Sequence, residues 1–371
     1  MKYDVIVVGT GPGGANAAYH AAKHGAKVLI IDKKSEIGVP VRCAEAVVST
    51  LLDEYNIKPD PKWIANTISN FKAYSSKGRE IILKTRTKGY ILDRINFEKM
   101  LVARAEAQGA EVMLQSTVTG LSKKGLIVQE TNSKKRSFFS RIIIGADGVE
   151  SRVGRWAGIN TTLALKDIGV CAQYQLQNLE LDPNSVELYW GEKYAPGGYA
   201  WVFPKNDNLA NVGVIIPGHF KYTAQDILDK FVKNRAPKSK ILKHIKGCVA
   251  ETVPPDKLVK GNVILVGDAA RVSIPVTGGG IGNALFTGRE AGELAGKVIK
   301  NRESLDNLSE YNQIVHKNLS KRLKRAYKLK EKFIKSEKNI ERIFIFLKLF
   351  MWVHKLAPGF VEKHGLKNLR Y

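Results

Sequence analysis

Residues 2–34 read KYDVIVVGTGPGGANAAYHAAKHGAKVLIIDKK, and the order of signals in them decides the fold. Residues 5–8 are a short run rich in β-branched side chains, the mark of a buried parallel strand. Gly9, Gly11 and Gly14 follow as GxGxxG. A helix is expected over 15–24, then Gly25, then a strand over 27–31 that ends at Asp32. Gly9 permits the tight turn, Gly11 lets a pyrophosphate approach the backbone, and Gly14 lets helix and strand pack closely. The helix start supplies N–H groups and a positive dipole end for phosphates. Asp32 lies eighteen residues past Gly14, where a carboxylate accepts from a ribose hydroxyl. A lone GxGxxG is weak, but this full context specifies a dinucleotide site.

The fingerprint alone does not separate NAD from FAD. Two later stretches bear on it. IIIGADGVESRVGRWAG (142–158) is a strand running into Asp147 and Gly148, then a short helical segment. GNVILVGDAARVSIPVTGGGIGNALFTGREAGELAG (261–296) is a second strand that ends in Gly-Asp. Its 275–280 loop opens a long helix. A chain that weaves back twice suits one extended cofactor.

The 371 residues suit a nucleotide-binding domain with a second domain inserted in it. No stretch approaches the ~20 apolar residues of a membrane span. The chain opens directly into a strand, so no signal peptide is expected. Cys43, Cys171 and Cys248 are far apart and form no CxxC, which argues for a reducing compartment and against zinc or an iron–sulfur cluster. His20 and His24 are four apart but lack HExxH context; an exposed pair is expected, and no metal. The formal net charge is +24. Residues 301–371 carry 17 Lys/Arg against 7 Asp/Glu. No zinc finger, RNP motif or basic arm points to nucleic acid. An anionic membrane surface or anionic substrate suits the charge; a solvated Lys-rich surface explains part of it but not its clustering.

GxGxxG, the internal Ala-Asp-Gly and the late GDAA followed by PVTGGGIGNA resemble the FAD-dependent proteins of the p-hydroxybenzoate hydroxylase fold. Within them, PVRCAEAV (40–47), YILDRINFEKML (90–101) and YAWVFPKNDNLANVGV (199–214) are similar to the geranylgeranyl reductases, closest to the archaeal digeranylgeranylglycerophospholipid reductases. The likeness runs from about Lys2 to about residue 330. It implies FAD held by Gly9, Gly11, Gly14, Ala15, Asp32, Arg42, Cys43, Ala44, Ala46, Arg94, Val118, Asp268, Gly280 and Ile281. Asp268 would bind the ribityl or ribose region. Gly280 and Ile281 would present backbone N–H groups to the flavin, where a helix start stabilises negative charge. Arg94, at the head of a helix over 95–107, would meet a phosphate or the adenine edge. Two departures stand out: Ala44 and Ala46 replace frequent glycines, and Ile215 replaces the second glycine of the GxG after the aromatic strand.

The resemblance implies saturation of isolated prenyl alkenes. Such an alkene has no neighbouring carbonyl, so it needs a proton as well as an electron pair. The site therefore requires a long apolar slot, an acid, and aromatic faces that soften positive charge, each worth about 0.5–2 kcal/mol. YAWVFPK (199–205) answers the last need. Tyr199, Trp201 and Phe203 alternate at period two, so three rings share one strand face. They are expected to line the substrate slot, though such a row is commonly plain core. Cys43 and Tyr199 are the candidate acids; a bound water is another.

The expected fold class is mixed α/β (α+β). A Rossmann-like FAD-binding domain covers 1–160 and 260–300, with part of the substrate sheet around 65–95. An antiparallel-sheet substrate domain covers 161–259, with a helix over 223–233, and a basic helical region covers 301–371. In that tail Leu323, Tyr327 and Ile334 share a face. Residues 343–353 are apolar except for Lys348, too short to span but able to lie in a bilayer interface with Trp352 at headgroup level, or to close the substrate slot. The expected partners are a prenylated glycerophospholipid and an external electron donor (NADPH, ferredoxin or another carrier), since only one dinucleotide fingerprint is visible. The expected location is the cytoplasm, against the inner face of an anionic cell membrane. An aromatic or prenyl hydroxylase on the same fold is the alternative activity.

Overall fold

The computed structural model describes residues 2–122, 125–130, 134–334 and 336–356. The opening stretch folds as the strand Lys2–Val8, the helix Pro12–Lys23 and the strand Val28–Ile31. The helix starts before Ala15 because Pro12 occupies its first turn, where a missing N–H costs nothing. Val263–Leu265, Arg136–Gly145, Lys2–Val8, Val28–Ile31 and Glu111–Met113 lie side by side as parallel strands. Every residue of Val28–Ile31 is buried, as expected of a parallel sheet covered on both faces. The antiparallel pair Ser116–Ser122 and Gly125–Glu130 extends this sheet beside the early part of Arg136–Gly145.

The long helix Ile281–Lys300 packs against Pro12–Lys23 through Gly288, Gly292 and Gly296, spaced four apart on one face. A Cβ on Gly288 would lie 2.3 Å from the Gly13 carbonyl oxygen. One on Gly292 would lie 2.3 Å from the Ala17 oxygen, and one on Gly296 would lie 2.5 Å from the His24 Cβ. His20 and His24 are therefore not an exposed pair. Both sit half-buried at this crossing, and His20 Nδ1 is 3.1 Å from Glu293 Oε1. Asn16 Nδ2 adds a bond of 2.7 Å to the Leu285 carbonyl.

A second sheet runs Lys240–Ala250, Ile168–Gln177, Leu209–Pro217, Ala195–Pro204, Ser185–Gly191, Ile64–Ser75, Glu80–Leu92, Ala46–Val48. It is antiparallel except where Ser185–Gly191 pairs with Ile64–Ser75 in parallel. At that seam two separate passes of the chain meet, so no hairpin dictates their direction. One face packs on the helix Ala224–Arg235, which Thr223 and Asp226 cap reciprocally. The other face carries the aromatic row, from which Tyr199 reaches Thr277 in the loop before Ile281–Lys300.

After Ile281–Lys300 the described residues are mostly helical, with π turns at His316–Ser320 and Lys330–Ile334, and the last described element is the helix Glu337–Leu356. Lys330, buried in the second π turn, sits 2.9 Å from Glu251 Oε2, and Tyr327 donates to Asp167 Oδ1 at 2.9 Å. These contacts tie the tail to one end of the second sheet. Leu323 is buried as expected of the apolar face; the side chains of Ile334 and Trp352 lie outside the described residues. Among the described residues no helix is long and apolar enough to cross a membrane.

Replacing Gly292 by Val forces the two helices apart. A thermal melt is expected to fall by several degrees, in line with overpacking costs of about 1–3 kcal/mol. Gly120→Ala, whose Cβ would meet only Ile127 Cδ1 at 3.8 Å, is expected to leave the midpoint close to that of the unaltered protein.

Candidate functional site

Both helix starts at the crossing are uncapped. Neither Pro12–Lys23 nor Ile281–Lys300 has a side-chain cap or an acidic residue in its first turn. Their N–H groups and positive dipole ends remain available to an anion. The two starts are close: a Cβ on Gly13 would lie 3.3 Å from the Ala284 carbonyl oxygen. Gly9 has φ +114°, and a Cβ there would lie 2.3 Å from the Ala146 oxygen. A Cβ on Gly14 would lie 2.0 Å from the Gly9 oxygen, whereas one on Gly11 would meet nothing within 4 Å. Gly9 and Gly14 are thus glycine for packing, and Gly11 leaves its backbone open to a ligand. Ala15 is fully buried in the first turn.

Asp32 ends its strand facing the same turn. Its Oδ2 accepts from Thr10 N at 2.8 Å and Thr10 Oγ at 2.6 Å, and its Oδ1 from Lys34 N at 3.0 Å. The carboxylate therefore braces the glycine turn. Ser116 N donates to the Asp32 carbonyl at 3.0 Å, which brings Val118 and its strand alongside. At the other helix start, Asp268 Oδ1 accepts from Ser273 Oγ at 2.7 Å, and a Cβ on Gly280 would lie 3.3 Å from that oxygen. Gly280 is the N-cap and Ile281 the first helical residue.

The segment 42–46 is fastened to the second sheet and to the head of the helix Arg94–Glu106. Glu45 is buried with φ +75°, a conformation that non-glycine residues hold only when their surroundings impose it. Its Oε1 accepts from Arg94 N at 3.1 Å; its Oε2 accepts from Lys205 Nζ at 2.7 Å and from Asn211 Nδ2. The Glu45 backbone carbonyl accepts from Leu92 N at 2.8 Å. Asn211 Nδ2 also reaches the Ala44 carbonyl at 3.3 Å, and Gln173 Nε2 reaches the Cys43 carbonyl at 3.2 Å. Arg42 is exposed beside Gly247, and Ala46 is exposed at the head of Ala46–Val48.

The aromatic row stands against this segment. Tyr199, Trp201, Leu188 and Ile215 form a buried cluster, with Phe203, Trp190, Phe71, Cys171 and Ala44 packed on it. Ring centroids step from Trp190 to Tyr199 at 4.8 Å, on to Trp201 at 5.8 Å and to Phe203 at 6.5 Å. The Trp201 indole N–H donates to Gln173 Oε1 at 3.1 Å, so one glutamine holds both the indole and the Cys43 backbone. Trp201 lies across Gly213 on the next strand, where a Cβ would come within 2.2 Å of the ring. Ile215 pairs with Tyr199, and Gly169 gives it room, since a Cβ there would lie 2.6 Å from Ile215 Cδ1. The Tyr199 hydroxyl donates to the Thr277 carbonyl in the loop before Ile281–Lys300. Row, Cys43 segment and second helix start therefore meet at one place.

Burial pushes the Cys43 thiol up, and the Arg94 guanidinium opposes it only in part. Burial likewise pushes up the Tyr199 hydroxyl and the Cys171 thiol. All three hold their protons near neutral pH. Arg94 is not at the surface. Its guanidinium is buried, bonded to Glu98 Oε1 at 2.7 and 2.8 Å, with Nη1 3.5 Å from Cys43 Sγ. Glu98 Oε2 is buried without a hydrogen bond, 3.9 Å from Lys34 Nζ.

The structure thus gathers the sequence-derived positions into two groups. Gly9, Gly11, Gly14, Ala15, Asp32 and Val118 surround the first helix start. Cys43, Ala44, Arg94, Asp268, Gly280, Ile281 and the aromatic row surround the junction of the sheets; Arg42 and Ala46 flank it at the surface. Glu45, Gln173, Lys205 and Asn211, which hold the junction together, had no assigned role. Glu45, Lys205 and Asn211 stand inside the quoted stretches, and Gln173 is one of three glutamines, with Gln175 and Gln177, that alternate along its strand, so nothing in the sequence singles it out. Cys171 joins the cluster although no motif marks it.

Two neighbouring uncapped helix starts and a backbone left bare at Gly11 fit an extended, anionic FAD. Residues 4–71 match the model for an FAD binding domain, and residues 167–250 that for a geranylgeranyl reductase catalytic domain. The structure of a geranylgeranyl bacteriochlorophyll reductase-like protein from Thermoplasma acidophilum superposes with a TM-score of 0.89 at 33% identity, covering 98% of both chains. A flavin-dependent brominase shares the fold alone, at TM-score 0.71 and 17% identity over 85% of each chain. Fold and site therefore define an FAD-dependent oxidoreductase.

The digeranylgeranylglycerophospholipid reductase of Methanocella arvoryzae is 43% identical over 349 residues, 91% of this chain and 89% of that protein. That of Methanothrix thermoacetophila is 39% identical over 100% of this chain and 95% of its own length. The chain belongs to the digeranylgeranylglycerophospholipid reductase family.

Lys205→Met strands the buried Glu45 carboxylate. The expected loss is about 3–5 kcal/mol in denaturant-induced unfolding. The double variant Glu45→Gln/Lys205→Met is expected to recover part of it; a single variant as stable as the parent would show that the pair holds nothing.

Proposed function

We propose that the protein saturates the geranylgeranyl chains of an archaeal-type ether lipid, 2,3-di-O-geranylgeranylglyceryl phosphate or a phospholipid derived from it, at the inner face of the cell membrane in phospholipid biosynthesis. The observation that carries this reading is the meeting of the Tyr199–Trp201–Phe203 row with the Cys43 segment and the start of Ile281–Lys300. An apolar, aromatic wall at the flavin end of the groove suits a hydrocarbon chain with no polar handle at its reacting carbons. Each saturation adds two electrons and two protons to one double bond, and bound FAD in its reduced form would supply the electron pair. Gly9, Gly11, Gly14, Ala15, Asp32 and Val118 hold the ADP end. Arg42, Cys43, Ala44, Ala46, Asp268, Gly280 and Ile281 hold the flavin end, and Arg94, expected at a phosphate or the adenine edge, joins them because its guanidinium lies beside Cys43.

The chain's own part is to place the alkene, exclude water and deliver a proton. Trp201, fixed by Gln173, and Phe203 present ring faces where positive charge develops on carbon. Tyr199 and Cys43 are the proton sources in this reading. Burial keeps both protonated, and each is held by a neighbour, Tyr199 by Thr277 and Cys43 by Arg94 and the Glu45 N–H. Replenishing electrons come from an external donor, NADPH, ferredoxin or another carrier.

Anaerobic turnover with a chemical reductant and digeranylgeranylglyceryl phosphate tests the reading through the mass of the lipid. Masses climbing in steps of two hydrogens are expected. Trp201→Leu should lower kcat by about 3–30-fold, the value of one ring beside a developing cation. Tyr199→Phe and Cys43→Ala should separate the acids: the true donor loses about 10²–10⁴-fold, the other little. An unchanged lipid mass would sink the proposal.

A further inference from the structure

The helix Glu337–Leu356 has two dissimilar sides. Ile340 and Phe344 are buried against Ala73 and Ile81. Phe71 and Trp190 touch this small cluster and also the Tyr199–Trp201 cluster, so an apolar run connects the helix to the aromatic row. On the outer side, Ile345, Phe346 and Leu349 are 49, 62 and 60% exposed. Lys338, Arg342, Ile345 and Leu349 recur at i, i+4, i+7 and i+11, a single stripe along the helix. Its first half is cationic and its second half apolar.

Beside the cationic half lies a pocket of about 410 Å³ lined by Lys77, Arg79, Glu337, Lys338, Glu341, Arg342 and Ile345. Both of its carboxylates are engaged. Glu341 pairs with Arg79 and accepts from Lys77 N at 3.1 Å, and Glu337 Oε2 accepts from Glu192 N at 2.8 Å. Lys77, Lys338 and Arg342 have no carboxylate partner among the described residues. Leu83, across from Phe71 on the next strand, adds another exposed apolar side chain at this edge. Cations held beside an apolar shoulder match the order of charge and hydrocarbon at a phospholipid surface: phosphate outside, chains inside.

The geometry points to the helix Glu337–Leu356 and the adjoining 76–79 turn between Ile64–Ser75 and Glu80–Leu92 as the docking surface for an anionic phospholipid bilayer. The pocket takes a lipid phosphate and the Ile345–Leu349 side enters the hydrocarbon boundary. The apolar run beneath the helix then leads from the bilayer to the aromatic row. This deepens the lipid-reductase reading and rests on it only for the identity of the chain that enters.

Flotation of the FAD-loaded full chain with vesicles tests it. One set is phosphatidylcholine alone; the other carries about a third phosphatidylglycerol. Binding is expected with the anionic set only, and to weaken at about 1 M salt as charge is screened. Lys338→Glu/Arg342→Glu is expected to bind at least about tenfold more weakly, as is Ile345→Ser/Leu349→Ser, with the flavin spectrum retained as the sign of folding. Lys240→Glu/Lys243→Glu, an equal charge change on the opposite edge strand of the second sheet, should bind as the parent does. A parent that ignores anionic vesicles, or an edge-strand variant that loses as much as the helix variant, overturns the proposal. Parent turnover on detergent-dispersed lipid bears on the reductase reading alone. Its failure beside intact vesicle binding would remove that reading and leave the docking surface standing.

Discussion

The helix Ile281–Lys300 crosses Pro12–Lys23 with glycine at each of its closest contacts, and the site depends on how near that crossing is. Helix starts repel each other through their dipoles, so two uncapped ones opening on the same groove need packing to hold them there. Gly288, Gly292 and Gly296 remove the side chains that would keep the backbones apart, and the Asn16 bond to Leu285 fixes the register. The groove is left rich in unsatisfied N–H groups. An anionic dinucleotide is the ligand that such a groove stabilises most.

The second sheet is a separate layer with its own core, and the 42–46 segment is fastened to it by polar bonds. Glu45 draws a lysine, an asparagine and the head of the Arg94–Glu106 helix onto one buried carboxylate, and Gln173 ties the Trp201 indole to the Cys43 backbone. Polar ties of this kind fix direction as well as distance. They hold Trp201 and the Cys43 segment in one mutual orientation, which a greasy interface would leave free to slide.

The nucleotide half was legible in the sequence because its constraints are local. A tight turn, a close helix and a strand-end acid each demand a residue type at a fixed offset, and Gly9, Gly14 and Asp32 stand where those demands fall. The aromatic face was legible for the same reason, since period two is a property of any strand. What stayed hidden depends on contacts distant in sequence. Nothing local marks Glu45 for a left-handed backbone, or Gln173 as the partner of Trp201. Arg94 reads as a cation for a phosphate or the adenine edge, and only the fold shows Glu98 and Cys43 closing around it. His20 and His24 read as surface residues until a glycine ridge some 270 residues later packs on them. The parallel pairing of Ser185–Gly191 with Ile64–Ser75 joins two passes of the chain that no turn connects.

The central claim is that one assembled site carries electrons from flavin to an isolated prenyl alkene. Holoenzyme reduced under anaerobic conditions, freed of excess reductant and mixed with digeranylgeranylglyceryl phosphate, tests it in a single turnover followed by visible absorbance. The account predicts that the yellow oxidised spectrum returns, with one double bond saturated for each flavin reoxidised. A flavin that stays reduced beside the lipid until oxygen is admitted would contradict it.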